Sequence, residues 1–485
     1  MITRTVSSAT STLPPPGEPA PRATAVASPT PLRSEAAGAI APVRAAPASP
    51  RGFPGLAACV DDARAAALER QDGPPDPEAF ASLRSRLEKA RAALPPEQRR
   101  TVADPLLRKL DALGPDGFAR LLASDPEREG GARLLLDLAQ AVLQAGEGYQ
   151  ARSTAAFQEV VGDLYDGFLS AESRRGVKPP DRGVAPPVVR WGSAEAGPYT
   201  WPVTDTAQLG AKAAVVSLPA ANATRGLLAW PALAHETAGH DVLAADTGLE
   251  DELARKVREG LLAEKLPPAI ADYWADRIDE TAADVLGVLN MGPAAAVGLV
   301  GYFRAMNAAY GGTPALRNVG PEEDPHPADI ARAYLAEETV RLLSFSGSKG
   351  WADRLEAEAD RDAGTIRLGD TQVTKGVAKA SAAVVARTIV QARLKALEGH
   401  AIGEIQDWRD SDEKIVAELR GALRTGGTSA AGRELGEGAY AAHAVAAAVI
   451  EAVDGGGDPH VLQGRMIAAL DAMHAAGEAP LAAVA

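Results

Sequence analysis

The sequence predicts a predominantly helical α+β protein: a central core with one small sheet, flanked on both sides by helical regions. Three observations lead there. Apolar residues recur at three- and four-residue spacing through most of the chain, the mark of amphipathic helices. One short apolar run, AKAAVVSLP at 211–219, is bounded by turn signals and reads as a β-strand. Ala, Leu, Arg and Glu dominate the composition together with Gly, and the first four lose little on entering a helix.

Residues 1–52 are mostly Pro, Ala, Ser and Thr with few large apolar side chains. Such a segment buries too little surface to offset its ordering entropy, and disorder is expected. Residues 53–176 form the N-terminal helical region. Phe80, Leu83, Leu87 and Ala90 recur at helical spacing, as do Leu106, Leu107, Leu110 and Leu113, and Leu134, Leu135, Leu138, Val142 and Leu143. Phe157, Val160, Val161, Leu164, Tyr165 and Phe168 mark a further helix at 155–172. This region holds no cluster of metal ligands and reads as a scaffold.

The pattern changes near Val177, where the core at 177–345 begins. Pro179, Pro180, Pro186 and Pro187 precede Val188-Val189-Arg190-Trp191, and a Gly/Pro/Thr-rich stretch runs to about Thr206. After the 211–219 strand, Trp230-Pro231 opens a helix that Asp246-Thr247-Gly248 ends. Helices are expected at 249–264, in one piece from Pro268 to about Asn290, and at 294–309. The remainder, 346–485, forms a C-terminal helical region. It should hold a hairpin at 364–374 and helices at 375–397, 401–423, 434–453 and 460–476.

Composition excludes several function classes. The net charge of −14, with 64 acidic against 50 basic residues, disfavours nucleic acid and anionic membrane as partners. Aromatics are 4 % of the chain, too few for base-stacking platforms. The longest apolar stretches, such as 441–453, are too short to span a bilayer and contain a His and a Glu. The first residues lack the apolar centre of a secretory signal, so the expected location is cytoplasmic. Cys59 is the one cysteine in 485 residues. It forbids internal disulfides and multi-cysteine metal sites, so any metal is held by His, Asp and Glu.

That chemistry concentrates in His235-Glu236-Thr237-Ala238-Gly239-His240. The usual zinc helix has HExxH, with histidines four apart on one face. Here they are five apart, which on a regular helix separates them by about 140°. A π-bulge would bring them together, and Gly239 is the residue best able to accept the distorted backbone. A catalytic zinc takes three protein ligands and a water. The third candidate is Glu280, in Asp279-Glu280-Thr281-Ala282-Ala283-Asp284, with Asp284 one turn further on the same face. Asp284 would accept a hydrogen bond from a ligand histidine and fix its tautomer. Glu236 would take the proton from the attacking water and pass it to the leaving group.

HETAGH followed by Glu280-x-x-x-Asp284 resembles the gluzincin metallopeptidases. The five-residue histidine spacing with Gly before the second His is similar to dipeptidyl peptidase III. The resemblance covers these two helices only. The downstream segment departs from the EExxAE type at Asp279 and Asp284, so the metal chemistry carries over and the dipeptide-removing specificity does not. The resemblance implies a zincin-like catalytic core, Zn2+ as cofactor, and a peptide or protein substrate. An HExxxH is expected by chance on the order of one per cent of the time in such a chain. Two alternatives stay open: a zinc hydrolase of a non-peptide amide or ester, and a non-catalytic helical interaction protein with a relic metal site. The oligomeric state is not legible.

His326, in Asp324-Pro325-His326-Pro327, resembles a His-Pro segment that follows the third-ligand helix in several zinc peptidases and precedes an Arg. It is a candidate to stabilise the oxyanion, or else a loop histidine capping the next helix. Tyr302 and Tyr310 are alternatives, more readily read as packed core tyrosines. Asp241 and Asp246 read as solvated rather than as hydrogen-bond partners of the ligands. Asp276 and Arg277 are set to pair with charges on neighbouring turns. The strand at 213–218 is either a peptide-binding edge or an internal strand. His400, His443, His460 and His474 read as structural or solvent-facing.

Overall fold

The structure is a computed structural model that describes residues 24–25, 52–69, 71–170, 174, 176–182, 185–426 and 439–482. Helices α1 (Leu56–Leu68), α2 (Phe80–Ala93), α3 (Asp104–Ser124), α4 (Gly131–Glu147) and α5 (Ala151–Leu169) follow the apolar spacing of the N-terminal region. Helix α3 is kinked at Gly114, whose φ of 62° lets Pro115 restart the helix.

Strands β1 (Thr24–Ala25), β2 (Val188–Gly192), β3 (Tyr199–Trp201) and β4 (Val215–Pro219) form a sheet in the order β1-β3-β4-β2. β4 runs parallel to β2 and antiparallel to β3. It is the strand expected at 211–219, and it lies inside the sheet between β3 and β2, so it is an internal strand and not a peptide-binding edge. β2 and β3 were not expected as strands. Every residue of β2, β3 and β4 is buried, and strands covered on both faces lack the alternation that announces a strand. Apart from β1 and Gly52, the disorder expected for 1–52 lies outside the described residues.

The next helix, α6, spans residues 232–245 in three pieces: an α turn Ala232–His235, a π turn Glu236–Asp241 and an α turn Val242–Ala245. Then come α7 (Leu249–Ala263), α8 (Pro268–Ala275), α9 (Ile278–Met291) and α10 (Pro293–Tyr310). The single helix expected from Pro268 is in fact two, broken at Asp276-Arg277. Arg277 leaves helical geometry at φ −117°, ψ 31°. Its guanidinium sits 4.1 Å from the Tyr273 ring centroid and donates to the carbonyls of Pro321, Glu322 and Asp324. Those contacts, more than forty residues away, outweigh the local helical pattern.

Strands β5 (Val319–Gly320), β6 (Ile366–Leu368) and β7 (Thr371–Val373) make a second small sheet, which contains the expected hairpin. Helices α11 (Asp329–Leu342), α12 (Ser348–Ala359) and α13 (Lys375–Gln391) surround it in sequence. The helix expected to reach 397 stops at Gln391, and Lys395–Leu397 is a separate 3-10 turn. The helix expected at 401–423 divides into α14 (Ile402–Ile405) and α15 (Asp410–Thr425). α16 (Ala441–Val453) and α17 (Pro459–Ala482) follow, and residues 434–438 of the expected 434–453 helix lie outside the described residues. No described helix is long and apolar enough to cross a membrane.

Side chains that alternate across the sheet divide the apolar interior. Val189, Trp191, Val216 and Leu218 join a large cluster that runs from Phe53 to Leu470 and includes residues of α1, α5, α6, α9, α10, α11, α13, α16 and α17. Val188, Tyr199, Trp201 and Val215 join a second cluster with residues of α2, α3 and α4. The sheet therefore separates α2, α3 and α4 from the core that carries the HETAGH segment.

Half-buried Asp163 on α5 accepts the backbone N–H of Ala441 at the start of α16. Burial pushes its carboxyl up to about 7. A carboxyl raised on folding binds more protons folded than unfolded, so its stabilising contribution is full below about pH 4 and fades as pH rises through 7. Asp163→Asn keeps an acceptor for Ala441 and removes the charge. Thermal melts should show wild type and variant alike near pH 4 and the variant roughly 2 °C or more ahead at pH 8. A pH-independent difference would contradict this reading.

Candidate metal centre

The π turn at Glu236–Asp241 is the distortion that the five-residue histidine spacing demands. It sets His235 and His240 side by side, with ring centroids 4.8 Å apart and Nε2 atoms 3.1 Å apart. The reason for Gly239 differs from the expected one. Its φ is not positive, so the backbone there needs no glycine. A Cβ at Gly239 would instead lie 2.4 Å from the Ala283 Cβ and 2.5 Å from its Cα. A Cβ at Gly287, one turn further along α9, would meet the His235 backbone nitrogen at 3.2 Å. Small residues on both helices let the backbones of α6 and α9 approach closely, and this contact delivers Glu280.

Glu280 Oε2 lies 3.2 Å from His235 Nε2, and Oε1 lies 3.6 Å from His240 Nε2. These three residues offer ligand atoms all within 4.8 Å of one another, and all three are buried. Tetrahedral zinc ligands at their usual bond lengths stand about 3.3 Å apart, close to the spacings here. Glu280 Oε2 makes no hydrogen bond of good geometry among the described residues, as expected of an atom oriented for a cation. The group could hold a metal ion.

Asp284 lies behind His235 as expected. His235 Nδ1 is 2.8 Å from Asp284 Oδ1. With the proton on Nδ1, Nε2 keeps its lone pair toward the site. Arg332 of α11 forks onto the same carboxylate, with Nε donating to Oδ2 at 2.7 Å and Nη2 to Oδ1 at 2.8 Å. Its guanidinium also lies 4.8 Å from the Phe303 ring centroid.

His326 enters from the loop that Arg277 holds. Its Nε2 is 3.3 Å from Glu280 Oε1, and its Nδ1 is 2.9 Å from Asp324 Oδ1. Arg317 steadies Asp324 at 3.2 Å and pairs with Asp329 at the start of α11 at 2.9 Å.

Burial makes these charges interdependent. Burial alone would lower His326, but Glu280 and Asp324 lift it to about 10. It would lower His235 too, but Asp284 and Glu280 lift it to about 9. His240 falls to about 3, through burial and the positive charge of His235, His326 and Arg332. Burial opposes ionisation of Glu280, yet the surrounding histidines hold it well below the usual carboxylate range. Glu236 differs from Glu280: burial pushes it up to about 8.

Glu236 Oε2 accepts the Thr200 hydroxyl at 2.8 Å, while buried Oε1 has no hydrogen-bond partner among the described residues. Thr200 was not singled out in the sequence; it sits in the unannounced strand β3. Tyr302 is buried and lines the same small cavity as His235, Asp284 and Arg332. Tyr310 turns away, toward the Ala67 carbonyl at 3.4 Å.

Asp241 and Asp246 are buried, contrary to the solvated reading. Burial lifts Asp241 to about 7. Asp246 can be buried charged because Arg174 (3.1 Å to Nη1) and Lys178 (3.2 Å) neutralise it. Asp276 is exposed. Arg277 pairs with loop carbonyls rather than charges on adjacent turns. His443 pairs with Asp412 and His474 with Glu159, while His400 contacts the Leu397 carbonyl and His460 is exposed.

Comparison with protein-family models, with curated proteins and with solved structures finds no match to this chain. The chemistry of the site therefore rests on its own geometry.

Gly239→Ala tests that geometry. The added methyl overlaps Ala283, so the variant should lose about 1–3 kcal/mol of stability in chemical denaturation. It should also lower the affinity for a divalent ion by at least about tenfold, the scale on which displaced supporting groups act. Wild-type affinity in a folded variant would show that the helix contact does not set the ligand spacing.

Proposed function

We propose that this chain is a metal-dependent hydrolase, with zinc as the ion and a peptide bond as the bond cleaved. One observation carries the reading. Two imidazoles and a carboxylate converge at tetrahedral spacing, and the same π turn presents a second carboxylate, Glu236, with one oxygen uncommitted.

His235, His240 and Glu280 would hold the ion. Two neutral nitrogens and one carboxylate oxygen suit zinc and fit calcium or magnesium poorly. When bound, the ion supplies an acidified water and polarises the carbonyl under attack. The remaining work falls to the chain's own groups. Glu236 is poised by burial to take up a proton near neutral pH; it accepts one at Oε1 from the attacking water and returns it to the leaving nitrogen. His326, with Nδ1 on Asp324, directs Nε2–H into the site and stabilises negative charge on the substrate oxygen. Arg332 and Asp284 hold His235 in the tautomer that the ion requires.

Two features support a peptide as substrate. The HETAGH and Glu280-x-x-x-Asp284 pair resembles the gluzincin arrangement. Strand β3, next to Glu236, pairs antiparallel on its outer side with a short extended segment, the geometry in which an extended peptide binds a sheet edge.

Zinc-loaded protein should cleave members of a mixed peptide library, read by mass spectrometry, and leave small non-peptide amides and esters largely intact. Glu236→Gln should retain one ion per chain and lose at least about a hundredfold in turnover. Full activity in that variant would remove Glu236 from the role of base, and cleavage confined to non-peptide esters would replace the substrate class.

A further inference from the structure

Glu236 is held by a strand as well as by its own helix. Thr200, the middle residue of β3, is fully buried and donates its hydroxyl to Glu236 Oε2 at 2.8 Å. The same hydroxyl lies 3.1 Å from the Glu236 carbonyl oxygen. Side chains alternate along a strand, so Tyr199 and Trp201 leave β3 on the opposite face. Both end on one group. Tyr199 Oη donates to Asp137 Oδ2 at 2.7 Å, and Trp201 Nε1 donates to the same oxygen at 2.8 Å.

Asp137 belongs to α4, in the N-terminal helical region. It is buried, pairs with Arg190 of β2, and lies 3.5 Å from Arg133 Nε. Arg190 in turn donates to Tyr199 Oη at 2.7 Å. A buried ion pair costs desolvation and by itself is weak evidence of a gain in stability. Its value here is geometric. β3 is three residues long, and its neighbour on the outer side is the two-residue β1. A ladder that short leaves the depth and twist of the strand poorly determined. Two side chains pinned to one carboxylate determine both.

We infer that Asp137 is a positioning residue for Glu236: it fixes β3 through Tyr199 and Trp201, and Thr200 on the other face then commits Glu236 Oε2 and leaves Oε1 without a partner among the described residues. The inference rests on the proposed role of Glu236 as base. It makes α4, on the far side of the sheet, part of the catalytic apparatus.

The test is a double-mutant cycle in the full chain. Thr200→Val removes the hydroxyl at constant shape; it should lower kcat about tenfold with KM and metal content unchanged, the scale of a misplaced catalytic group. Thr200→Ser should restore kcat to within about threefold of wild type, because it restores the donor. Asp137→Asn should lower kcat severalfold alone but less than about twofold in the Thr200→Val background, since a relay through one hydroxyl is non-additive. Should Asp137→Asn not fold, Tyr199→Phe and Trp201→Phe enter the same cycle, each deleting one donor to Asp137. Multiplicative effects, or an unchanged kcat in Thr200→Val, would overturn the relay. Crystal structures of the metal-free variants provide a readout without turnover. A Glu236 carboxylate turned away in both variants supports the inference, and one that keeps its wild-type orientation in both overturns it. If wild type binds the ion yet cleaves nothing, the proposed function fails, and these structures alone decide the positioning role.

Discussion

The contact of Gly239 with Ala283 is the constraint on which the site depends. The π turn places two histidines on one side of α6, but it supplies only two of the three candidate ligands. The third comes from α9, and Glu280 reaches the pair because nothing larger than hydrogen stands on Gly239. Gly287 repeats the arrangement one turn along, against the His235 backbone. The close approach also places Asp284 behind His235. One helix–helix contact thus sets the third candidate ligand and the orientation of the first. Close-packed interiors make such a contact stiff, because there is little empty space into which either helix can retreat.

A second constraint is charge. Arg332, His326 and His235 hold the carboxyls of Glu280, Asp284 and Asp324 below their ordinary range against the cost of burial. Arg332 does not titrate and serves as the fixed counter-charge. The His326 side of the site is tied by Asp324 and Arg317 to Asp329 at the start of α11, the helix that carries Arg332. Both polar walls of the site therefore hang on one helix end.

How much of this was legible in the sequence follows from the range of each interaction. The HETAGH run and the Glu280–Asp284 pair are short-range patterns, and their spacing already demanded a π turn and a second helix. The reason for Gly239 was not legible, because it lies in the approach of α9 rather than in local backbone angles. Thr200 and Asp137 were hidden for a related cause. β3 is short and buried on both faces, so no alternation marks it, and its partners lie 36 and 62–64 residues away. The break at Asp276-Arg277 was missed because local propensity favours continuity, while distant carbonyls claim the Arg277 side chain. Asp241 and Asp246 looked solvated because a lone Asp usually is; Asp246 is buried against cations 72 and 68 residues upstream. The apolar periodicity of the flanks, set by local geometry, was legible throughout the N-terminal region.

We propose that His235, His240 and Glu280 together bind one zinc ion, and X-ray absorption at the zinc edge on the purified full chain reads that coordination. One zinc per chain is expected, with two imidazole nitrogens and carboxylate oxygen at about 2.0–2.2 Å, and His240→Ala should lose the bound ion. A chain that takes up no stoichiometric zinc, or that keeps it with the same coordination after His240→Ala, would contradict it.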